Sequence, residues 1–146
     1  MWEVMLATFQ DCFLLADICK KTPNSALWLY KNFEEELKQT YAKIFVVKEN
    51  NLLLGFCAFR LFLDEAEINN IAILPSNQSK GVGSFLLKQV VDFLVKNNAK
   101  TIILEVNENN KKAIRFYTKF GFKQVNIRKK FYNNKEDALI LKKIIA

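Results

Sequence analysis

The sequence contains no histidine. That excludes histidine metal ligands and Ser-His-Asp catalysis. Acid–base chemistry is left to carboxylates, tyrosine, cysteine, lysine, water or a terminal amine. Cysteine is scarce and odd in number. Cys12, Cys19 and Cys57 sit in apolar context without CxxC spacing, so buried thiols are expected rather than disulfides or a metal cage. No apolar run reaches membrane-spanning length. The opening MWEVMLATFQDCF has neither the basic region nor the cleavage site of a secretory signal, so a cytoplasmic protein is expected. Proline occurs twice and glycine four times in 146 residues. Two of those glycines, Gly81 and Gly83, stand one residue apart, where their backbone freedom or missing side chain must matter.

What is abundant is apolar. Half of the chain is hydrophobic, with thirteen phenylalanines, enough for the core of one domain spanning 1–146. The net charge of +7 is uneven: residues 111–146 carry eleven basic and two acidic residues, and residues 1–110 are net negative. A basic last quarter suits a polyanion, either nucleic acid or a phosphorylated cofactor, or is a solvated face. No RNA-binding aromatic signature or zinc-finger spacing is present, so direct nucleic-acid binding is not expected.

Periodicity gives an order of elements. WEVMLAT reads as a strand and FQDCFLLADICKK as a helix closed by Pro23. A second helix is expected after Ser25 as its cap, with Ala26, Leu29, Tyr30, Phe33 and Leu37 apolar and Glu34–Glu36 facing water. AKIFVVK and LLLGFCAFRLFL, joined by ENN, read as a hairpin, and EINNIAIL as a strand stopped by Pro75. The paired glycines then open a helix whose narrow polar stripe, Ser84, Lys88, Asp92 and Lys96, predicts burial on a sheet. AKTIILEV is a strand and NNKKAIRFYTKF a helix ended by Gly121. FKQVNI and ALILKKI are the last strands. The class is α/β with a mostly antiparallel front half.

A strand ending in NIAILP, then QSKGVG, then a buried helix, is a place to bind phosphate, because helix N-terminal amides are unpaired and favour anions. The loop lacks the Gly-Lys-Ser/Thr of a P-loop, and Leu86 replaces the third glycine of a dinucleotide fingerprint. Q-x-x-G-x-G after NIAILP, followed by LEVNENNKKAIRFYTKFGF, resembles the GNAT family of N-acetyltransferases. LDEAEINNIAILP and the tail IRKKFYNNKEDALIL further resemble its ribosomal-protein-alanine N-acetyltransferases. Leu27 and Leu29 flank Trp28 where those enzymes carry proline and serine, and the tail turn lacks their proline and glycine.

The resemblance implies a GNAT fold, a mixed and mostly antiparallel sheet flanked by helices, with acetyl-CoA as co-substrate and no metal. It implies that Gln78, Ser79, Lys80, Gly81, Val82, Gly83 and Ser84 hold the diphosphate. Ile71, Ala72 and Ile73 would meet the pantetheine strand-fashion, and Asn110 would bond the pantetheine or the helix start. Lys80, Lys111 and Lys112 are candidate phosphate partners. Acetyl transfer to an amine needs a base, and Glu105, after the apolar run TIIL, is the candidate, with Glu67 the alternative. Tyr117 stands where the family places the acid beside the cofactor sulfur. Its other reading is packing with Ile114 and Phe120. Asp64, Glu67 and Tyr132 are candidate acceptor contacts, within an acidic group (Asp64, Glu65, Glu67, Glu105, Glu108) suited to a cationic peptide. The implied reaction is direct transfer, through a tetrahedral intermediate, to the N-terminal alanine of a small-subunit ribosomal protein. A small amine as acceptor, or a non-catalytic acyl-CoA-binding module, remains open at this point.

Overall fold

The computed structural model of the chain describes residues 1–23, 25–132 and 136–146, and of 130–132 the backbone alone. Strand β1 (Trp2–Leu6) leads through one turn of tighter helix into α1 (Cys12–Lys21) and α2 (Tyr30–Leu37). Strands β2 (Ala42–Glu49), β3 (Leu52–Phe62) and β4 (Glu65–Ile73) follow, then α3 (Val82–Lys96) and β5 (Thr101–Asn107). Helix α4 (Lys111–Lys119) and strands β6 (Lys123–Tyr132) and β7 (Glu136–Ile144) complete the chain. The seven strands form one sheet in the order β1-β2-β3-β4-β5-β7-β6. All its pairs are antiparallel except β4 with β5. Among the described residues no helix is long and apolar enough to cross a membrane.

Helix α3 docks by the face its sequence predicts, whereas of the stripe expected for the second helix only Phe33, Tyr30 and Leu37 pack inward and Ala26 and Leu29 are exposed. On one side of the sheet, Val82, Leu86, Leu87, Val90 and Leu94 of α3 pack on Phe45, Phe59, Ile68 and Ile102. Ser84, Lys88, Asp92 and Lys96 are exposed as expected. On the other side, Cys12, Leu15, Cys19 and Phe33 pack on Ile44, Val46, Phe56 and Ala72. Burying one such leucine or phenylalanine contributes about 1.5–3 kcal/mol relative to exposure. All three cysteines are buried, and burial pushes their thiols above the ordinary value. The β2–β3 hairpin turns at Asn50 and Asn51, both at positive φ, the conformation of a tight mirror-image turn.

Two local expectations are corrected. Helix α2 starts at Tyr30 rather than after Ser25. The Ser25 hydroxyl instead donates to the Thr22 carbonyl, and Asn32 accepts from the Leu29 N–H to open the helix. Glu36 does not face water with its neighbours. It is 5% exposed, and its carboxylate takes both Nε and Nη2 of Arg60 on β3, at 2.8 and 2.7 Å.

One irregularity shapes the middle of the sheet. Ala58 pairs with Asn70 and Phe59 with Ile68, so Asn69 is an extra residue in β4, a β-bulge. One added residue reverses which face every later side chain meets. Ala66 and Ile68 therefore join the α3 core, whereas Ala72 joins the α1–α2 core and Asn70 reaches Cys19 of α1.

Candidate active site

The bulge also marks where the sheet opens. Strands β4 and β5 pair only from Glu65–Thr101 to Ile68–Leu104. Beyond Ile68 they part, and a cavity of about 920 Å³ occupies the opening. The backbone facing it follows from the ladder. Leu74 N–H bonds the Leu54 carbonyl, so by antiparallel alternation residues 70, 72 and 74 point their backbone at β3. Ile71 and Ile73 point theirs at the gap, where no strand answers. This is the edge a strand-like ligand needs. Ala72, expected beside them, is turned the other way: its backbone serves β3 and its side chain is in the α1–α2 core.

The glycine loop closes one end of this edge. The Gln78 side chain donates to the Ile73 carbonyl at 2.8 Å and accepts from Lys112 of α4 at 2.8 Å, tying loop, strand and helix together. Gly81 is the N-cap of α3 at φ +91°, a conformation that requires glycine, and no side chain caps the helix there. The first amides of α3, on Val82, Gly83 and Ser84, have no partner one turn earlier in the helix. An uncapped, dipole-favoured cluster of N–H groups fits a diphosphate. Gly83 differs from Gly81. Its backbone is helical, and a Cβ there would make ordinary contact with Phe116 Cζ (3.6 Å) and Ile73 Cγ1 (3.7 Å). Ser79 is at φ +64°, and Lys80 and Lys111 are exposed near the loop and the start of α4.

Helix α4 supplies the opposite wall. Asn110 caps it, its Oδ1 accepting from Ala113 N–H at 3.2 Å, and it lines the cavity from that position. The helix ends in a Schellman turn: Phe122 N–H bonds the Tyr117 carbonyl, Gly121 N–H bonds that of Thr118, and Gly121 takes φ +102°. Between cap and turn, Tyr117 is 6% exposed, its ring packed edge-on against Phe116 and Phe122, and it lines the cavity. Burial first, then the Cys57 thiol, pushes the Tyr117 phenol above its ordinary value, so burial makes it a weaker acid than a solvated tyrosine. It is thus both a packing residue and a member of the cavity lining.

Glu105 and Glu67 line the same cavity, and both are exposed. Glu105 is exposed although it follows the apolar run TIIL. Strand alternation turns it to the rim, where its Oε1 pairs with Arg128 Nη2 at 2.8 Å. The expected acidic group is divided. Because β4 and β5 run parallel, their first residues share one end of the sheet and their last residues the other. Asp64 lies at the far end, beside Lys100 at 4.0 Å and off the cavity, next to Glu65. Glu108 is engaged with the Asp137 N–H at 2.7 Å. The Tyr132 side chain lies outside the described residues.

A sequence profile of the Acetyltransferase (GNAT) family matches residues 2–122. The chain belongs to the GNAT acetyltransferase family. Two relatives are bS18-alanine N-acetyltransferases acting on that ribosomal protein. The Escherichia coli enzyme is 34% identical over 117 residues, 78% of each chain. The Haemophilus influenzae enzyme is 35% identical over 119 residues, 78% of this chain and 80% of its own. The crystal structure of the Escherichia coli ribosomal-protein-alanine N-acetyltransferase superposes with a TM-score of 0.92 at 29% identity, covering 100% of this chain and 95% of that one. The protein is therefore a GNAT N-acetyltransferase, and GNAT enzymes take their acetyl group from acetyl-CoA.

This GNAT cavity also contains residues that motif reading did not assign. Pro23, Ser25 and Ala26, from the stretch between α1 and α2, form one wall. Asn70 holds that wall, its Nδ2 donating to the Ala26 carbonyl at 3.0 Å. Arg128 and Glu136, from the last two strands, complete the rim. The paired basic residues of the tail were a signal for Arg128. Nothing local to Asn70 or Ala26 announces their contact across 44 residues.

Proposed function

We propose that this enzyme acetylates the N-terminal α-amine of a protein, with the N-terminal alanine of a small-subunit ribosomal protein as substrate, Glu105 as general base and Tyr117 as general acid. The observation that carries the reading is the meeting of Glu105 and Tyr117 in one cavity, beside an unpaired strand edge and an uncapped helix N-terminus. The names of the relatives supply the acceptor.

The chemistry follows from the groups present. An α-amine has a pKa near 8, so about one unit separates it from neutrality at pH 7. A rim carboxylate, directly or through one water, suffices to take that proton. A lysine side chain near 10.4 needs far more. As the C–N bond forms and the C–S bond breaks, the sulfur requires a proton, and Tyr117, a cavity-lining phenol protonated at neutral pH, is the donor assigned to it. The proton lost by the amine at Glu105 and the one given by Tyr117 balance through solvent. Glu67, Glu105 and Glu136 against Arg128 make the lining net negative, which draws a cationic acceptor. The diphosphate of acetyl-CoA is assigned to the amides of 79–84, with Lys80, Lys111 and Lys112 nearby.

The test is an acceptor panel with acetyl-CoA read by mass spectrometry: ribosomal-protein N-terminal peptides, internal-lysine peptides, polyamines and amino sugars. The expected result is the highest kcat/KM for a peptide with N-terminal alanine. A polyamine or amino sugar that outperforms every peptide overturns the reading. So does acetyl on internal lysines of the ribosomal protein while its N-terminus stays free.

A further inference from the structure

The Glu36–Arg60 ion pair does not end at Arg60. Arg60 Nε, which donates to Glu36 at 2.8 Å, also donates to Asn69 Oδ1 at 3.0 Å, and Asn69 Nδ2 donates to Glu67 Oε1. These neighbours set the amide, because the opposite orientation would place oxygen against oxygen and donor against donor. The bulge gives this face two consecutive asparagines. Asn70 turns to Ala26, and Asn69 turns back to Glu67. A chain of charged and amide groups thus runs from α2 through β3 to the cavity, where Asn69 and Glu67 both stand in the lining. Its last member, Glu67, is exposed. A hydrogen bond to an exposed carboxylate adds little to fold stability. Its effect is to hold a flexible side chain in one place before a ligand arrives.

The register says what Glu67 can hold. Glu67 pairs with Ile103, so Glu105 lies two residues further along the parallel seam on the same face, about 7 Å nearer the edge at Ile71 and Ile73. An amine attacking a thioester at that edge meets Glu105, and Glu67 lies behind it, away from the edge. Resting on the α-amine reading above, we infer that Glu67 binds a second positive charge of the acceptor, about 7 Å from the reacting nitrogen, and that Asn69 positions it, braced by Arg60 and Glu36. In a peptide, a basic side chain one or two residues after the free amine reaches that far. The acceptor class is therefore a peptide with a cationic side chain close to its N-terminus. Glu67 is the specificity-determining group and Asn69 the positioning residue.

The probes are peptides with N-terminal alanine and arginine at the second or third residue, each compared with citrulline, which keeps the shape and loses the charge. Wild-type enzyme should prefer arginine at one of these positions by about tenfold in kcat/KM, through peptide KM rather than kcat, with KM for acetyl-CoA unaffected. Glu67→Gln and Asn69→Ala should each remove most of that preference, and the double variant should lose no more of it than Glu67→Gln alone. If Asn69→Ala lowers kcat/KM equally on both peptides, Asn69 only props the strand and the assignment is overturned. Collapse of kcat on both peptides in Glu67→Gln would make Glu67 the base and overturn it too. If Asn69→Ala does not fold, Asn69→Leu, close in shape and without the amide, takes its place. Equal use of arginine and citrulline peptides by wild-type enzyme overturns this inference alone. No acetylation of any peptide N-terminus overturns the α-amine reading with it, which separates the two failures.

Discussion

The two sides of the cavity are built from different material. The side we assign to acetyl-CoA is mostly backbone: the edge of β4 at Ile71 and Ile73, which no strand covers, and the amides at the start of α3, set by a left-handed Gly81. The side we assign to the acceptor is made of residues from separate elements: Ala26 between α1 and α2, Glu67 and Asn70 on β4, Glu105 on β5, Arg128 on β6. Backbone geometry is specified by a few residues in one short stretch, and it tolerates change elsewhere. Side-chain geometry depends on every element that carries a member. One GNAT scaffold can therefore keep its acetyl donor while its acceptor wall is rebuilt.

The strongest way to break this comparison is at Tyr117, the proposed acid, which lines the cavity. Tyr117→Phe keeps the packing and removes the hydroxyl. Turnover is expected to fall roughly 10- to 1,000-fold, with CoA affinity unchanged by calorimetry. Unaltered kcat, with the chemical step shown to be limiting, would reduce Tyr117 to a core residue.

On the backbone side, Gly81→Ala adds a side chain where space exists, since the nearest atom, Trp2 Cη2, is 3.7 Å from the new Cβ. The cost is in φ alone, about 1–2 kcal/mol. Relieving it re-aims the amides, so CoA is expected to bind about tenfold more weakly. Acceptor KM at saturating acetyl-CoA should hold. Calorimetry on folded protein decides it, and parent-like affinity would move the diphosphate cradle elsewhere.

On the side-chain side, Glu36→Ala strands Arg60 and loosens α2 from β3. Glu36 is buried but Arg60 is 42% exposed, so the loss is discounted to about 1–3 kcal/mol of unfolding free energy. Acceptor KM should rise while CoA affinity stays. Equal damage to both would show that the two sides are not separable.

The smallest effect is alkaline. Tyr117 and Cys57 are raised by burial from ordinary values of 10.0 and 9.0. Above those values the unfolded chain ionises and the folded one does not, so the folded state binds more protons and stability falls as pH rises. Below about pH 9 neither group contributes a slope. Each adds at most about 1.4 kcal/mol per pH unit. Urea unfolding followed above about pH 10 should show a shallower decline in Tyr117→Phe than in the parent. Identical slopes would mean that Tyr117 is solvated.

The same contrast explains what could be read in advance. Periodicity located the strands and the longer helices of the described residues, though not their ends, because alternation and helical spacing are local. The glycine loop was legible because Gly81 and its amides are neighbours in sequence. Glu36 was misjudged because its partner, Arg60, is 24 residues away and an ion pair leaves no local pattern. Asp64 was grouped with Glu105 because both sit near strand ends. Only the parallel pairing of β4 with β5 reveals that the ends are opposite ones. The α2 start was placed early because Ser25 has a capping side chain, but that hydroxyl turns back to Thr22. Asn70 depended on a bulge, and one extra residue in a strand is invisible to a period of two.

The short β4–β5 seam has a consequence for how the molecule assembles. Strands β2, β3 and β4 follow one another through tight turns, so the β2–β3 and β3–β4 hairpins can form early from nearby chain. The seam joins residues 65–68 to 101–104 and requires the 15-residue α3 to cross first. Long-range parallel pairing closes slowly. The catalytic gap, bounded by that seam, is thus expected to be a late-maturing region. In a chain emerging from the ribosome, the loop we assign to acetyl-CoA would be synthesised before the strand that carries Glu105, the proposed base, arrives beside it.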